Sequence, residues 1–166
     1  MTAWIMDLDD TIAHTTRDMG GEASRVSKLT AVEGLEEFLN ECHRRGHSCL
    51  VVTVGSWSLQ SEKLSRLAVQ VPMYVIFPTA QAYFAKREFL NQFATKRNLD
   101  RKKVVHIGDR LDRDIEIGKS LGFWTIRMRT PGGKYSLDEP TSQKEVPDFT
   151  VHNFFELIEL PFFAEN

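Results

Sequence analysis

Ile5-Met6-Asp7-Leu8-Asp9-Asp10-Thr11 is the stretch on which the reading of this chain turns. The apolar run Ala3-Trp4-Ile5-Met6 leads straight into the carboxylates Asp7, Asp9 and Asp10. An unbroken apolar run suits a strand buried on both faces, as in a parallel sheet covered by helices. Crowded negative charge at the end of such a strand is unfavourable, because like charges repel and resist desolvation. A bound cation would make the arrangement tolerable. Alternation along the strand turns Asp7 and Asp9 to the same side. Carboxylates and carbonyls at a strand end offer the hard oxygen ligands that Mg²⁺ prefers. The plainer alternative is an acidic turn in which Asp10 and Thr11 cap the next element.

Outward from this stretch, apolar runs and helical periodicities alternate. Ile12 to Leu29 is polar, with Gly20-Gly21 at its middle, and is expected to be a mobile loop or flap. Thr30-Ala31-Val32-Glu33 has the form of a capping box opening a helix that Gly46 ends. Cys49-Leu50-Val51-Val52 forms a second strand closing at Thr53, followed by a helix over Trp57 to Val69. Met73 to Phe77 is a third strand, stopped by Pro78, and Ala82, Ala85, Phe89 and Phe93 mark the inner stripe of the next helix. Val104 to Ile107 is a fourth strand ending at Gly108-Asp109, and a short helix holding Ile115 and Leu121 leads to a fifth strand over Phe123 to Met128. Thr130 to Val146 reads as surface loop, Phe149 to Val151 as a sixth strand and Phe154 to Leu160 as a closing helix. This alternation predicts an α/β fold, a three-layer, doubly wound, mainly parallel sheet. In such sheets function gathers beyond the carboxyl ends of the strands, which selects Asp7, Asp9, Thr53 and Asp109.

Composition narrows the function classes. The chain has 166 residues, 42% hydrophobic and 27% charged, with a net charge of −2, which suits a single domain over 1–166. Near-neutral charge gives no general attraction to nucleic acid or membrane. The basic groups Lys86-Arg87, Lys96-Arg97 and Arg101-Lys102-Lys103 read as solvated faces. No apolar run approaches the ~18 residues of a membrane span. Cys42 and Cys49 have neither a disulfide framework nor zinc spacing, and no leader pattern opens the chain, so the expectation is a reducing cytoplasm.

A second acidic cluster, Gly108-Asp109-Arg110-Leu111-Asp112-Arg113-Asp114, follows the fourth strand. Gly108 allows a tight turn, and Asp109 and Asp114 can face one site from a loop-to-helix junction. Asp112 reads as a helix-start residue favoured by the dipole.

Taken together, these residues resemble the haloacid dehalogenase-like superfamily in its phosphatase branch. Asp7-Leu8-Asp9-Asp10-Thr11 matches its first motif, Thr53 its second and Gly108-Asp109 through Asp114 its fourth. Lys86 is the best-placed candidate for the third, with Lys96, Arg101 and Lys102 as alternatives. The resemblance implies that Asp7 is a nucleophile forming an aspartyl-phosphate and that Asp9 is the general acid and base. It implies Mg²⁺ held by Asp7, the Asp9 carbonyl and Asp109 with Asp114 in support, and phosphoryl oxygens held by Thr53 and Lys86. Val54 stands where the family often has a polar residue, and Lys86 lacks a following proline. Trp57 and His14 are near enough in sequence to meet substrate, although packing for the first and solvation for the second are the plainer roles. His106 reads as a core histidine.

A signalling receiver module would carry its acceptor Asp after the third strand, where this chain has Pro78-Thr79. A dead scaffold would not keep the full acidic set. Neither gap in which such enzymes insert a cap, 10–30 or 54–85, has room for an independent domain. The expectation is therefore an open site covered at most by the 10–30 flap or by a second subunit. A small phosphorylated substrate is preferred, and a nucleic-acid 3′-phosphate or phosphoprotein is the alternative.

Overall fold

The computed structural model describes residues 1–67, 72–78, 82–161 and 163. Six parallel strands form a single sheet: β1 Ala3–Met6, β2 Ser48–Val54, β3 Tyr74–Phe77, β4 Val104–Gly108, β5 Trp124–Met128 and β6 Phe149–Val151. Their order is β3-β2-β1-β4-β5-β6, so the chain winds outward from β1 in both directions. This is the doubly wound arrangement expected from the alternation, and its topological switch point lies between β1 and β4.

The two faces of the sheet explain the apolar runs. Trp4 and Met6 point to one face with Phe38, Val51, Val105 and Phe154, while Ala3 and Ile5 point to the other with Leu50, Leu90, Val104 and Ile117. Helices α2 (Leu35–Arg44) and α6 (Phe154–Glu159) cover the first face, together with Leu64 of α3 (Trp57–Arg66). Helices α4 (Ala82–Lys96) and α5 (Glu116–Ser120) cover the second. On the first face Trp4 meets Phe38 edge-on at 5.2 Å between ring centroids, an arrangement that suits aromatic quadrupoles.

Several local expectations are corrected. The 12–29 segment is not an irregular loop: it forms α1 (Thr15–Met19) and a 3-10 turn over Ala23–Lys28, and buries Ile12, Met19, Val26 and Leu29. Thr30-Glu33 is not a capping box. The Thr30 N–H and hydroxyl donate to Asp18 (2.8 and 2.6 Å), Glu33 pairs with His14, and α2 begins after Gly34 at φ 80°. The competing partners on the 12–29 segment take the groups a cap would have used. A Cβ at Gly34 would stand 2.6 Å from the Phe155 backbone nitrogen, so both torsion and space require glycine there. On α4 the inner stripe is Lys86, Leu90 and Ala94, with Phe89 and Phe93 on its flank. The side chain of Ala82, and the expected end of α3 at Val69, lie outside the described residues.

Candidate active site

The strand ends converge on one cavity of about 170 Å³, walled by Asp7, Asp9, Thr53, Lys86, Asp109 and Asp114 among others. All six sequence-predicted residues are therefore brought together. Asp7 follows β1 directly, and its N–H donates to the Ile107 carbonyl at 2.9 Å, which sets it beside the end of β4. Asp109 follows β4 immediately, and Thr53 lies in the neighbouring strand β2.

Lys86 arrives from the inward stripe of α4. Its ammonium lies 2.6 Å from Asp114 Oδ1 and 3.2 Å from Asp7 Oδ1, with the residue 4% exposed. Lys96 and Lys102 are exposed, and Arg101 is taken by Asn91 and the Leu121 carbonyl. None of the three belongs to the cavity wall.

Asp114 sits on a π-turn, Leu111–Ile115, in which the Ile115 N–H reaches back to the Arg110 carbonyl at 3.2 Å. Such widened turns occur often at functional sites. The need for Gly108 is spatial rather than torsional: a Cβ there would stand 2.3 Å from the Asp114 carboxyl carbon. Asp112 lies in the first turn of this element, the helix-start place expected of it, and its carboxylate pairs with Arg110 at 2.7 Å.

The carboxyl groups of the site are pushed in opposite directions. Burial, reinforced by the charges of Asp114 and Asp9 and opposed by Lys86, pushes the Asp7 carboxyl up to about 7. Burial and the nearby Asp114, Asp7 and Asp10 raise Asp109 well above the usual carboxylate range. Burial also works against ionisation of Asp114, yet the Lys86 ammonium, His106 and hydrogen bonds hold its carboxyl below that range. Lys86 is correspondingly pushed up by Asp114 and Asp7 despite its burial. Oxygens of Asp7, Asp109 and Asp114 lie within 4.8 Å of one another. Three converging carboxylates with a single buried ammonium leave uncompensated negative charge. That donor set, all hard oxygen, fits a divalent cation of the Mg²⁺ type. The Asp9 side chain stands outside it, so a place for Asp9 among the ligands rests on its carbonyl.

Two polar side chains at the site escaped the sequence reading. Gln60 and Lys63 of α3 are buried and reach Asp9 at 3.0 and 2.6 Å. The signal was present: Gln60, Lys63, Leu64 and Leu67 share the inward helical stripe, and a lysine on a buried stripe needs a partner. Tyr83, Arg110 and Arg113 also line the cavity. His14 is buried rather than solvated, paired with Glu33 at 2.9 Å away from the cavity wall. Trp57 neither packs in the core nor lines the cavity, and is 65% exposed. His106 is a core histidine as expected, with burial and Lys86 pushing it down to about 4, and so neutral near pH 7.

Comparison with known proteins agrees with this fold. The chain is 29% identical over 124 residues to the glyceraldehyde 3-phosphate phosphatase of Methanopyrus kandleri and 30% over 125 residues to that of Methanocaldococcus jannaschii. Each match covers 74% of this chain and 52% of the relative, so the chain spans about half the length of these curated relatives. Its fold is shared with a haloacid dehalogenase family hydrolase from Deinococcus radiodurans, solved with bound phosphate and sodium (TM-score 0.72, 12% identity, 99% of this chain and 96% of that one). It is equally shared with a haloacid dehalogenase-like hydrolase from Streptococcus pneumoniae (TM-score 0.72, 13% identity, 98% of each chain). The family model for haloacid dehalogenase-like hydrolases matches residues 10–128, a span holding Thr53, Lys86, Asp109 and Asp114. That match covers most of the chain's length, and the chain belongs to the haloacid dehalogenase-like hydrolase family.

Proposed function

We propose that the protein is a Mg²⁺-dependent phosphomonoesterase working through an aspartyl-phosphate on Asp7. The observation that carries this reading is the Asp7–Lys86–Asp114 ion-pair chain beside Asp109 at the switch point of the sheet. The Asp7 carboxylate attacks phosphorus, and the bond from phosphorus to the leaving oxygen breaks. Asp9 gives that oxygen its proton. Asp9 then takes a proton from water, whose oxygen attacks the phosphorus, releasing phosphate and restoring Asp7. The Thr53 hydroxyl and the Lys86 ammonium hold phosphoryl oxygens where charge sits in the transition state. Asp7, Asp109, Asp114 and the Asp9 carbonyl are the groups that would hold Mg²⁺. When bound, the ion screens the phosphoryl charge from the carboxylates.

A small phosphorylated substrate is favoured. The cavity is small, and Arg110 and Arg113 add positive charge to its wall. The two curated relatives are named for a three-carbon phosphate, although they are longer chains. Residues 10–30 belong to the single domain, packed on it through Ile12, Met19, Val26 and Leu29, rather than forming a separate cap. Support comes from Asp10, whose carboxylate accepts from the Thr16 and Lys134 N–H groups, and from Thr15, which donates to Asp9 at 2.7 Å. Among the described residues no helix is long and apolar enough to cross a membrane. Free Cys42 and Cys49 suit a reducing cytoplasm.

Phosphate release from an aryl phosphate, a three-carbon sugar phosphate and a 3′-phosphate DNA end, each with Mg²⁺ and with excess chelator, tests the reading. Release from the small esters that stops in chelator is the expected result. A salt-sensitive preference for the DNA end would move the substrate to nucleic acid, and undiminished release in chelator would remove the metal.

Two predictions arise from the same geometry. Mg²⁺ at ~100-fold above its Kd is expected to stabilise the fold by about 2.7 kcal/mol, seen as a raised melting temperature. Asp109→Asn should abolish that shift while melting normally in chelator; a shift that survives places the ion elsewhere. Lys86→Met should reduce turnover by about 10²-fold or more and lower the melting temperature, because Asp7 and Asp114 lose their buried partner. Lys96→Met, at an exposed position, should change neither.

A further inference from the structure

Asp9 is held by more donors than a general acid needs for its chemistry. Lys63 Nζ at 2.6 Å and Thr15 Oγ1 at 2.7 Å both donate to Oδ1, and Gln60 Nε2 donates to Oδ2 at 3.0 Å. The same Gln60 nitrogen lies 2.9 Å from Thr53 Oγ1 and 3.1 Å from the Val54 carbonyl. Turning the amide over would aim its oxygen at a carboxylate and a carbonyl, so the surroundings fix its orientation. Gln60 and Lys63 are 2% and 5% exposed, and neither belongs to the cavity wall. An ammonium and an amide buried on the inward stripe of a helix are costly unless paired, and Asp9 is the acceptor that both share.

Each carboxylate oxygen offers two lone pairs. On Oδ1 both are taken, by Lys63 and Thr15. Among the described residues only one is taken on Oδ2, by Gln60. We propose that Gln60 and Lys63 are positioning residues for Asp9: they fix the rotation of its carboxylate so that Oδ2, the oxygen with a free lone pair, is the atom that carries the proton to the leaving group. Gln60, through its contact with Thr53, also sets that oxygen against the group that holds the phosphoryl oxygen. This inference rests on the reading of Asp9 as general acid and base.

Proton transfer depends steeply on the placement of the donor, and a displacement of ~1 Å can cost ~10²-fold in rate. Its effect depends on the leaving group, because an alkoxide needs the proton and a nitrophenolate leaves without it. The test therefore compares kcat/KM for an alkyl phosphate and for p-nitrophenyl phosphate, with Mg²⁺ saturating. Lys63→Met and Gln60→Met are made in the wild type and in an Asp9→Asn background. In the wild-type background each substitution should lower kcat/KM for the alkyl ester by about 10²-fold and for the aryl ester by less than about 10-fold. In the Asp9→Asn background neither should cost anything further, since residues acting through one group are not additive. Gln60→Met removes no charge, so it carries the comparison if Lys63→Met fails to fold by thermal melting. Equal losses for the two esters, or losses that add to that of Asp9→Asn, would overturn the positioning role and leave the phosphatase reading standing. A wild-type protein that releases phosphate from neither ester would overturn that reading, and this inference with it.

Discussion

Asp7→Asn is expected to lower turnover of an aryl phosphate by about 10⁴-fold or more, the scale at which removing a nucleophile leaves only binding and electrostatics. The amide is nearly isosteric but cannot attack phosphorus, so no acid-stable labelled phosphoenzyme should appear after quenching with labelled substrate. The fold should survive. Asp7 follows a strand whose register is set by Ala3 to Met6 against β2 and β4, not by its side chain. Its ionised form is the costly one, because burial and the charges of Asp114 and Asp9 work against it. A neutral amide relieves that cost, and Lys86 retains Asp114 at 2.6 Å. The melting temperature in chelator should therefore equal or exceed that of the wild type. Near-normal turnover in this variant would transfer the nucleophile to another group.

Asp9→Asn should have the second largest effect, and its size should depend on the substrate. Loss of general acid catalysis is worth ~10²–10⁴-fold, and the full loss is expected in kcat/KM for an alkyl phosphate. For p-nitrophenyl phosphate the first step survives, but the return step has lost its base. A burst of about one equivalent of nitrophenol followed by slow turnover is the expected trace, because the aspartyl-phosphate accumulates. Rapid mixing with the aryl ester reads this directly. Steady turnover at the wild-type rate, without a burst, would remove Asp9 from the chemistry.

These expectations start from residues that the sequence already pointed to. The period of the apolar runs is a local property, and it determined the strand and helix order, the parallel sheet and the crowding of carboxylates at β1 and β4. It also placed Thr53, because a residue closing a buried strand in this topology can only stand at the sheet's carboxyl edge. Resemblance to a known family supplied the candidate roles, and Lys86 among several lysines. The distinction between Lys86 and Lys96 is tertiary: both lie on α4, but only the stripe of Lys86, Leu90 and Ala94 faces the sheet.

Other features were beyond the reach of local pattern because their partners are far apart in the chain. Thr30 and Glu33 have the spacing of a capping box, yet Asp18 and His14 take them once the 12–29 segment folds back on residues 30–32, with Ala13 bridged to Ala31. Gly108 looked like a turn glycine, and only the fold shows Asp114 pressed where a side chain would be. The support of Asp9 joins Thr15, Gln60 and Lys63, up to 54 positions away. Sequence by itself determined the six strands, the helices between β1 and β6 other than α1, and the sheet edge at which the charges collect, since periodicity and strand order are written along the chain. Tertiary structure alone decided which ammonium meets which carboxylate, because that depends on the face each helix turns toward the sheet and on space that distant residues share.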